Sequence, residues 1–160
     1  MSAVLIAPVP AEVLASAIAH PRLRAEVAFG TRQRDVTVET GMAIYIYATP
    51  DGSPYRSLFQ PGCVAWTGTL GHMTPAVAQG VRRGMHPDAS MRPPFAESYD
   101  YRDAAMFWHV LGLRPLEAPI TLDRFRDVDG AKLFGKCAPQ WIASGYLRAE
   151  TAPSSLARAA

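Results

Sequence analysis

Two kinds of side chain here could do chemistry: arginines on loops and aromatics on apolar strands. Arg32 and Arg34 fall in the polar stretch 30–35, and Arg56 ends the turn-rich stretch Thr-Pro-Asp-Gly-Ser-Pro-Tyr-Arg at 49–56. A guanidinium offers a planar fork that fits a phosphate, a carboxylate or a base edge. The alternative for these three is solvated loop charge, paired with Asp35 and Asp51. Tyr47, Trp66 and Trp108 could stack on a nucleobase, because an aromatic face accepts any base. They could equally be core, where Tyr and Trp still find one polar partner. Tyr101, with Tyr99, sits in the polar stretch 86–101, where it could cover a ligand or pin the loop.

Other chemistries leave no mark. His20, His72, His86 and His109 form no recognised cluster and are read as hydrogen-bonded structure. Cys63 and Cys137 are far apart with no CxxC spacing, so a metal site is not expected and reduced thiols are. Whether the two are close in space is not legible. No Walker loop, dinucleotide glycine pattern or Ser–His–Asp order is present, and no cofactor is expected.

The elements that would position these groups centre on residues 41–70. Met42 to Ala48 and Cys63 to Leu70 are apolar, rich in β-branched and aromatic residues, and bounded by Gly and Pro, which marks strands. Small residues among them (Ala43, Ala48, Ala65, Gly68) suggest a curved sheet closing on itself as a small barrel. Before them come a buried strand at 3–7, a helix at 11–19 led by Pro10 and ended by His20-Pro21, and a strand at 24–29. Residues 36–38 add an extended piece. After them, Thr74-Pro75 reads as the start of a helix over 76–83. Residues 86–101 read as a loop, 104–113 as a central strand, and 116–125 as a proline-led turn with Leu122 and Phe125 inward. A last helix begins near 138. Residues 1–148 read as one domain and 149–160 as a disordered tail.

Composition sets the outer limits. The chain has 160 residues, 49% hydrophobic and 19% charged, with a net charge of +2. That is an ordinary globular chain, and too little charge to announce a nucleic-acid binder. All but Lys132 and Lys136 of its sixteen basic residues are Arg, which permits nucleic-acid contacts and also fits a GC-rich coding sequence. No apolar stretch approaches the ~20 residues of a membrane span, and no leader pattern opens the chain. The expectation is a cytoplasmic protein with no membrane partner.

The order of these segments resembles the PUA-like superfamily, which includes the ASCH and EVE domains. The stretch Ile44-Tyr45-Ile46-Tyr47-Ala48-Thr49 is similar to the ASCH "vyIYAs" strand, and Trp66-Thr67-Gly68-Thr69-Leu70 to the strand that follows it. Residues 22–34 occupy the place of the "GxKxxExR"-like segment. Phe107-Trp108-His109-Val110 through Pro119-Ile120-Thr121-Leu122 is similar to the late strand and "Pi-x-L" segment. The resemblance implies an α+β fold, a small mixed β-barrel of five to six strands flanked by short helices, with a cleft for RNA or a modified nucleotide. It also implies, as an alternative, a hydrolase acting on an acylated nucleoside through a lysine with a Thr and a Glu. Here the lysine position falls among Arg22, Leu23 and Arg24, and arginine does not serve as a general base. Glu26 and Thr67 match the other two positions.

The expected function is therefore a non-catalytic module binding RNA or a modified nucleotide between loops 30–35 and 49–56. The alternatives are an ASCH-like hydrolase and a small-ligand or protein-interaction domain.

Overall fold

The computed structural model describes residues 4–31, 39–49, 54–59, 62–94, 104–125 and 147–149. Strand β1 (Val4–Pro10) leads straight into helix α1 (Ala11–Ala19). Val13, Leu14 and Ala17 recur at helical spacing and are buried. His20 ends the helix in extended geometry, and its Nδ1–H donates to the Ser16 carbonyl at 2.7 Å, satisfying an oxygen the helix end leaves open. Pro21 then opens a second, one-turn helix, α2 (Pro21–Ala25), which buries Leu23. The strand expected from residue 24 accordingly starts two residues later, as β2 (Glu26–Thr31). Proline at a first helical position is preorganised for a turn, and that local preference prevails over the alternation read at 24–29.

Strands β3 (Ala43–Thr49) and β4 (Cys63–Pro75) form the antiparallel pair expected at the centre. Strand β7 (Met106–Thr121) runs well beyond the expected end at 113, turning at Gly112, whose φ of +64° only glycine adopts easily. Its far half, expected as a turn, pairs Ile120 with Val64. Leu122 and Phe125 are buried, as their spacing suggests.

Six strands make one mixed sheet in the order β2-β7-β4-β3-β1-β8, where β8 is Leu147–Ala149 and only β1–β3 is parallel. The described strands do not close into a barrel: β2 and β8 are the two edges. The small residues that suggested closure do different work. A Cβ on Gly68 would lie 2.3 Å from Val110 Cγ1, so glycine there lets β4 and β7 pack against each other. Such a contact is closer than any real Cβ tolerates, and it concerns neighbours within the sheet rather than its edges.

One face of the sheet carries the main core. Leu5, Ala7, Val9, Val27, Phe29, Ile44, Ile46, Leu70, Trp108 and Val110 pack beneath α1 and α2. Fully burying each of the larger aliphatic side chains contributes roughly 1.5–3 kcal/mol. Alternation along the strands sends Glu26 and Ala28 of β2, and Phe107 and His109 of β7, to the other face. There Ala28, Ala104 and Phe107 form a second, smaller cluster.

Residues 76–83 are not a helix. They belong to a separate two-stranded ribbon, β5 (Val77–Gln79) and β6 (Arg82–Met85), joined at Gly80-Val81. Gly80 has φ +62° and Val81 is not in the positive region, the pattern of a two-residue hairpin turn with glycine first. Thr74-Pro75 thus ends a strand instead of capping a helix. The helix expected near 138, the extended piece at 36–38 and the tail after 149 lie outside the described residues.

Candidate active site: a histidine–carboxylate cluster

His109 is the centre of the site, and the sheet itself places it. On β2 and β7, Glu26 is paired with Leu111 and Ala28 with His109, so the Glu26 side chain rises on the same face as the imidazole. On β4, Leu70 is opposite Val110 and Met73 opposite Trp108, leaving Gly71 and His72 together opposite His109. This is a β-bulge, one extra residue on β4, and bulges re-aim side chains. It carries the exposed His72 over His109, with ring centroids 4.0 Å apart and planes 30° apart. A Cβ on Gly71 would sit 3.3 Å from His109 Cβ, so the approach depends on glycine. After the bulge, Thr74 returns to the His109 face.

The fourth contributor arrives from the far end of the ribbon. His86 follows β6 directly and is buried, its ring edge-on to Phe107 with centroids 5.1 Å apart. Residues 86–92 are fastened against β2. Asp88 accepts hydrogen bonds from Ser90 N–H and Ser90 Oγ, capping the short turn Ala89–Met91. Those bonds hold the Asp88 carboxyl below its usual range. The Arg92 guanidinium donates to the Ala28 carbonyl and lies 4.6 Å from the Phe107 ring centre, while Arg22 donates to the Ser90 carbonyl at 3.1 Å.

Hydrogen-bond directions in the cluster follow from one backbone amide. The Asp88 N–H can only donate, and it lies 2.9 Å from His86 Nδ1, so that nitrogen carries the lone pair. A neutral His86 then carries its proton on Nε2, which lies 3.0 Å from His109 Nε2. His109 Nε2 must accept, and His109 Nδ1–H donates to Glu26 Oε2 at 2.8 Å. Thr74 Oγ1 lies 3.1 Å from that same His109 Nε2. The chain runs one way, from the Asp88 amide through two neutral imidazoles to a carboxylate. Burial, and then the neighbouring His109, push the His86 pKa down, so His86 stays neutral.

Donor atoms of Glu26, His72 and His109 lie within 4.8 Å of one another, close enough to surround a metal ion. A neutral His109 has a single lone pair, on the nitrogen that faces His86 and Thr74. Ligation through Nδ1 would move its proton to Nε2, so the His86 Nε2–H, 3.0 Å away, would have to turn aside.

The residues singled out from sequence are scattered. Glu26 joins the site, its side chain 34% exposed. Thr67 does not; it is buried, and its Oγ1 donates to the Ile44 carbonyl at 2.8 Å, binding β4 to β3. Trp108 is buried against Phe29 in the helix-side core, ring centroids 4.9 Å apart, and Trp66 packs half-buried on the same core. Tyr47 is buried on β3, which β4 separates from β7, and burial raises its hydroxyl pKa. Arg56 lies on the short turn Pro54–Leu58. Arg32, Arg34 and Tyr101 lie outside the described residues.

His72, Thr74, His86 and His109 were missed as a group. Two of the histidines follow small-residue breaks in β-rich sequence, but spacings of 14 and 23 residues carry no local signature. No protein-family model matches the chain, and neither a curated protein nor a solved structure matches it. No described helix is long and apolar enough to cross a membrane.

Proposed function

We propose that the chain is an acid–base hydrolase in which Thr74, His109 and Glu26 act as nucleophile, base and orienting carboxylate. One observation carries the reading: a hydroxyl at 3.1 Å and a carboxylate at 2.8 Å from the two nitrogens of one imidazole. A nucleophile within hydrogen-bond reach of a base that a third group orients is the mark of an activated hydroxyl.

The His86 Nε2–H turns from His109 to the substrate oxygen, and His109 Nε2 then takes the Thr74 hydroxyl proton as Oγ1 adds to an acyl carbon. The same nitrogen returns that proton to the departing amine or alcohol. A water then follows the same path, releasing the acid and restoring Thr74. Glu26 holds Nδ1–H throughout and stabilises the imidazolium between steps. Released from His109, the His86 N–H is a neutral donor for the developing oxyanion.

The substrate class is an acylated nucleoside or nucleotide. What supports it is the similarity of segment order to PUA-like proteins, with Glu26 at the place of their glutamate. On this reading Thr74 and His109 take over the work of the lysine that the chain lacks. A panel of acylated nucleosides, assayed with wild type and with Thr74→Ala, His109→Ala and Glu26→Gln, tests it. Turnover lost in all three supports the triad; turnover indifferent to His109→Ala removes it.

The second reading is a PUA-like module that binds RNA or a modified nucleotide without turning it over. The exposed Arg82 and Arg83 on the ribbon beside the site favour it. Binding with no turnover of any acylated nucleoside would select it.

A further inference from the structure

We propose that the His86–His109 hydrogen bond is an autoinhibitory latch, which leaves Thr74 without a base until a substrate oxygen draws the His86 N–H away. On the hydrolase reading, on which this rests, the bond is what holds the site off between substrates. Two donors meet at one lone pair. His86 Nε2 stands 3.0 Å from His109 Nε2, and the Thr74 hydroxyl 3.1 Å from the same nitrogen. A neutral imidazole has one acceptor nitrogen with one lone pair, so the two bonds compete.

The surroundings decide which donor holds the lone pair. His86 is 5% exposed and His109 2%. Among the described residues, the hydrogen-bond partners of the His86 ring are the Asp88 N–H and His109 Nε2. A buried N–H that loses its acceptor is costly, so this one stays on His109 unless another acceptor arrives. Thr74 is only half-buried, and its hydroxyl rotates to suit whatever acceptor or water is near. At rest His86 takes the lone pair, and Thr74 is an ordinary alcohol.

The latch is hung from one side. Its Nδ1 is tied to the Asp88 amide at 2.9 Å. The turn beyond is tied down in its own right, by Arg22 to the Ser90 carbonyl and Arg92 to the Ala28 carbonyl. The ring is therefore held at Nδ1 while its Nε2–H swings. An acyl oxygen seated beside Thr74 offers that N–H an acceptor that gains negative charge as the new bond forms, and a hydrogen bond to a charged acceptor is the stronger one. Opening and bond formation are thus one event, and an electrophile that presents no such oxygen leaves the latch shut.

The test is NMR on the full chain, with its histidines labelled in ¹⁵N, at pH 7.5. A scalar coupling between the two Nε2 nuclei passes only through the N–H···N bond and reads the latch directly. The proposal expects that coupling in the free protein and, unchanged, in Thr74→Val, which removes the competing hydroxyl. Benzeneboronic acid then supplies the trigger. Thr74 Oγ1 bonds to its trigonal boron, the hydroxyl proton passes to His109 Nε2, and the boron becomes a tetrahedral anion with no group leaving. In wild type the adduct should abolish the coupling, and Thr74→Val should keep it under the same reagent. No coupling in the free protein, or a coupling that survives in the Thr74 adduct, overturns the latch, whether or not the protein turns over an acylated nucleoside. A protein that holds the coupling but gives no adduct overturns the latch as a switch if it turns over an acylated nucleoside. If it turns over none, the hydrolase reading itself falls, and the bond is left with no site to hold off.

Discussion

Thr74 Oγ1 and His109 Nε2 stand 3.1 Å apart across 35 residues of sequence. The pairing exists because β4 gains one residue at Gly71-His72 and then resumes its register with Met73 opposite Trp108. Without the bulge, His72 would fall opposite Trp108 and Thr74 would lose its place beside the imidazole.

Substitutions at the triad should separate chemistry from folding. His109→Ala and Glu26→Gln should each lower kcat on an acylated nucleoside by about 10²–10⁴-fold. Thr74→Ser should retain turnover and Thr74→Ala should not. Steady-state kinetics with matched thermal melts checks this; equal turnover by Thr74→Ala would leave Thr74 no role as nucleophile.

Glycines on β4 should prove sensitive. Gly68→Ala must displace Val110, whose Cγ1 lies 2.3 Å from the new Cβ. Overpacking of that kind costs about 1–3 kcal/mol in urea unfolding. Gly71→Ala presses on His109 at 3.3 Å, so it should reduce turnover more than stability. A Gly71→Ala protein with wild-type kinetics would mean the bulge does not set the site.

Stability should fall with acid through His86. Its pKa is lowered in the fold from the usual 6.5, so the unfolded chain binds the proton more readily. Stability from neutral His86 is complete above about pH 6.5 and is lost as pH falls through the lower folded value. Burial lowers the pKa most; of the titratable and charged neighbours, His109 and Arg92 depress it further, while Asp88 raises it. Urea midpoints from pH 7.5 to 5 should drop less steeply in His86→Asn than in wild type. Parallel curves would show that His86 does not titrate with folding.

If the cluster serves only proton transfer, it takes no transition metal. One equivalent of Co²⁺ should give no visible absorption band and no rise in melting temperature. A band that disappears in His72→Ala would mean that Glu26, His72 and His109 form a metal centre after all.

The sequence made some of this legible and hid the rest for physical reasons. Periodicity found α1, β3, the first half of β4 and the centrality of β7, because burial on one or two faces writes itself into spacing. It missed the β5–β6 ribbon, where no core demands a pattern and an initial Thr-Pro imitates a helix start. Glu26 was singled out through the resemblance, and it lies beside His109. His72, Thr74, His86 and His109 were not, since only strand register and a bulge unite them. Aromatic content left two readings open, a stacking pocket or core, and Trp108 and Tyr47 are buried.

The central claim is that His109 is a neutral base with its lone pair on Nε2, between the His86 Nε2–H and the Thr74 hydroxyl. Long-range ¹H–¹⁵N correlation spectra of the histidine side chains at pH 7.5 read this tautomer directly, with His109→Gln and His86→Asn to assign the signals. The account predicts His109 protonated on Nδ1 and bare on Nε2, with His86 in the opposite state. A His109 carrying its proton on Nε2 would have no lone pair for the Thr74 hydroxyl, and would contradict it.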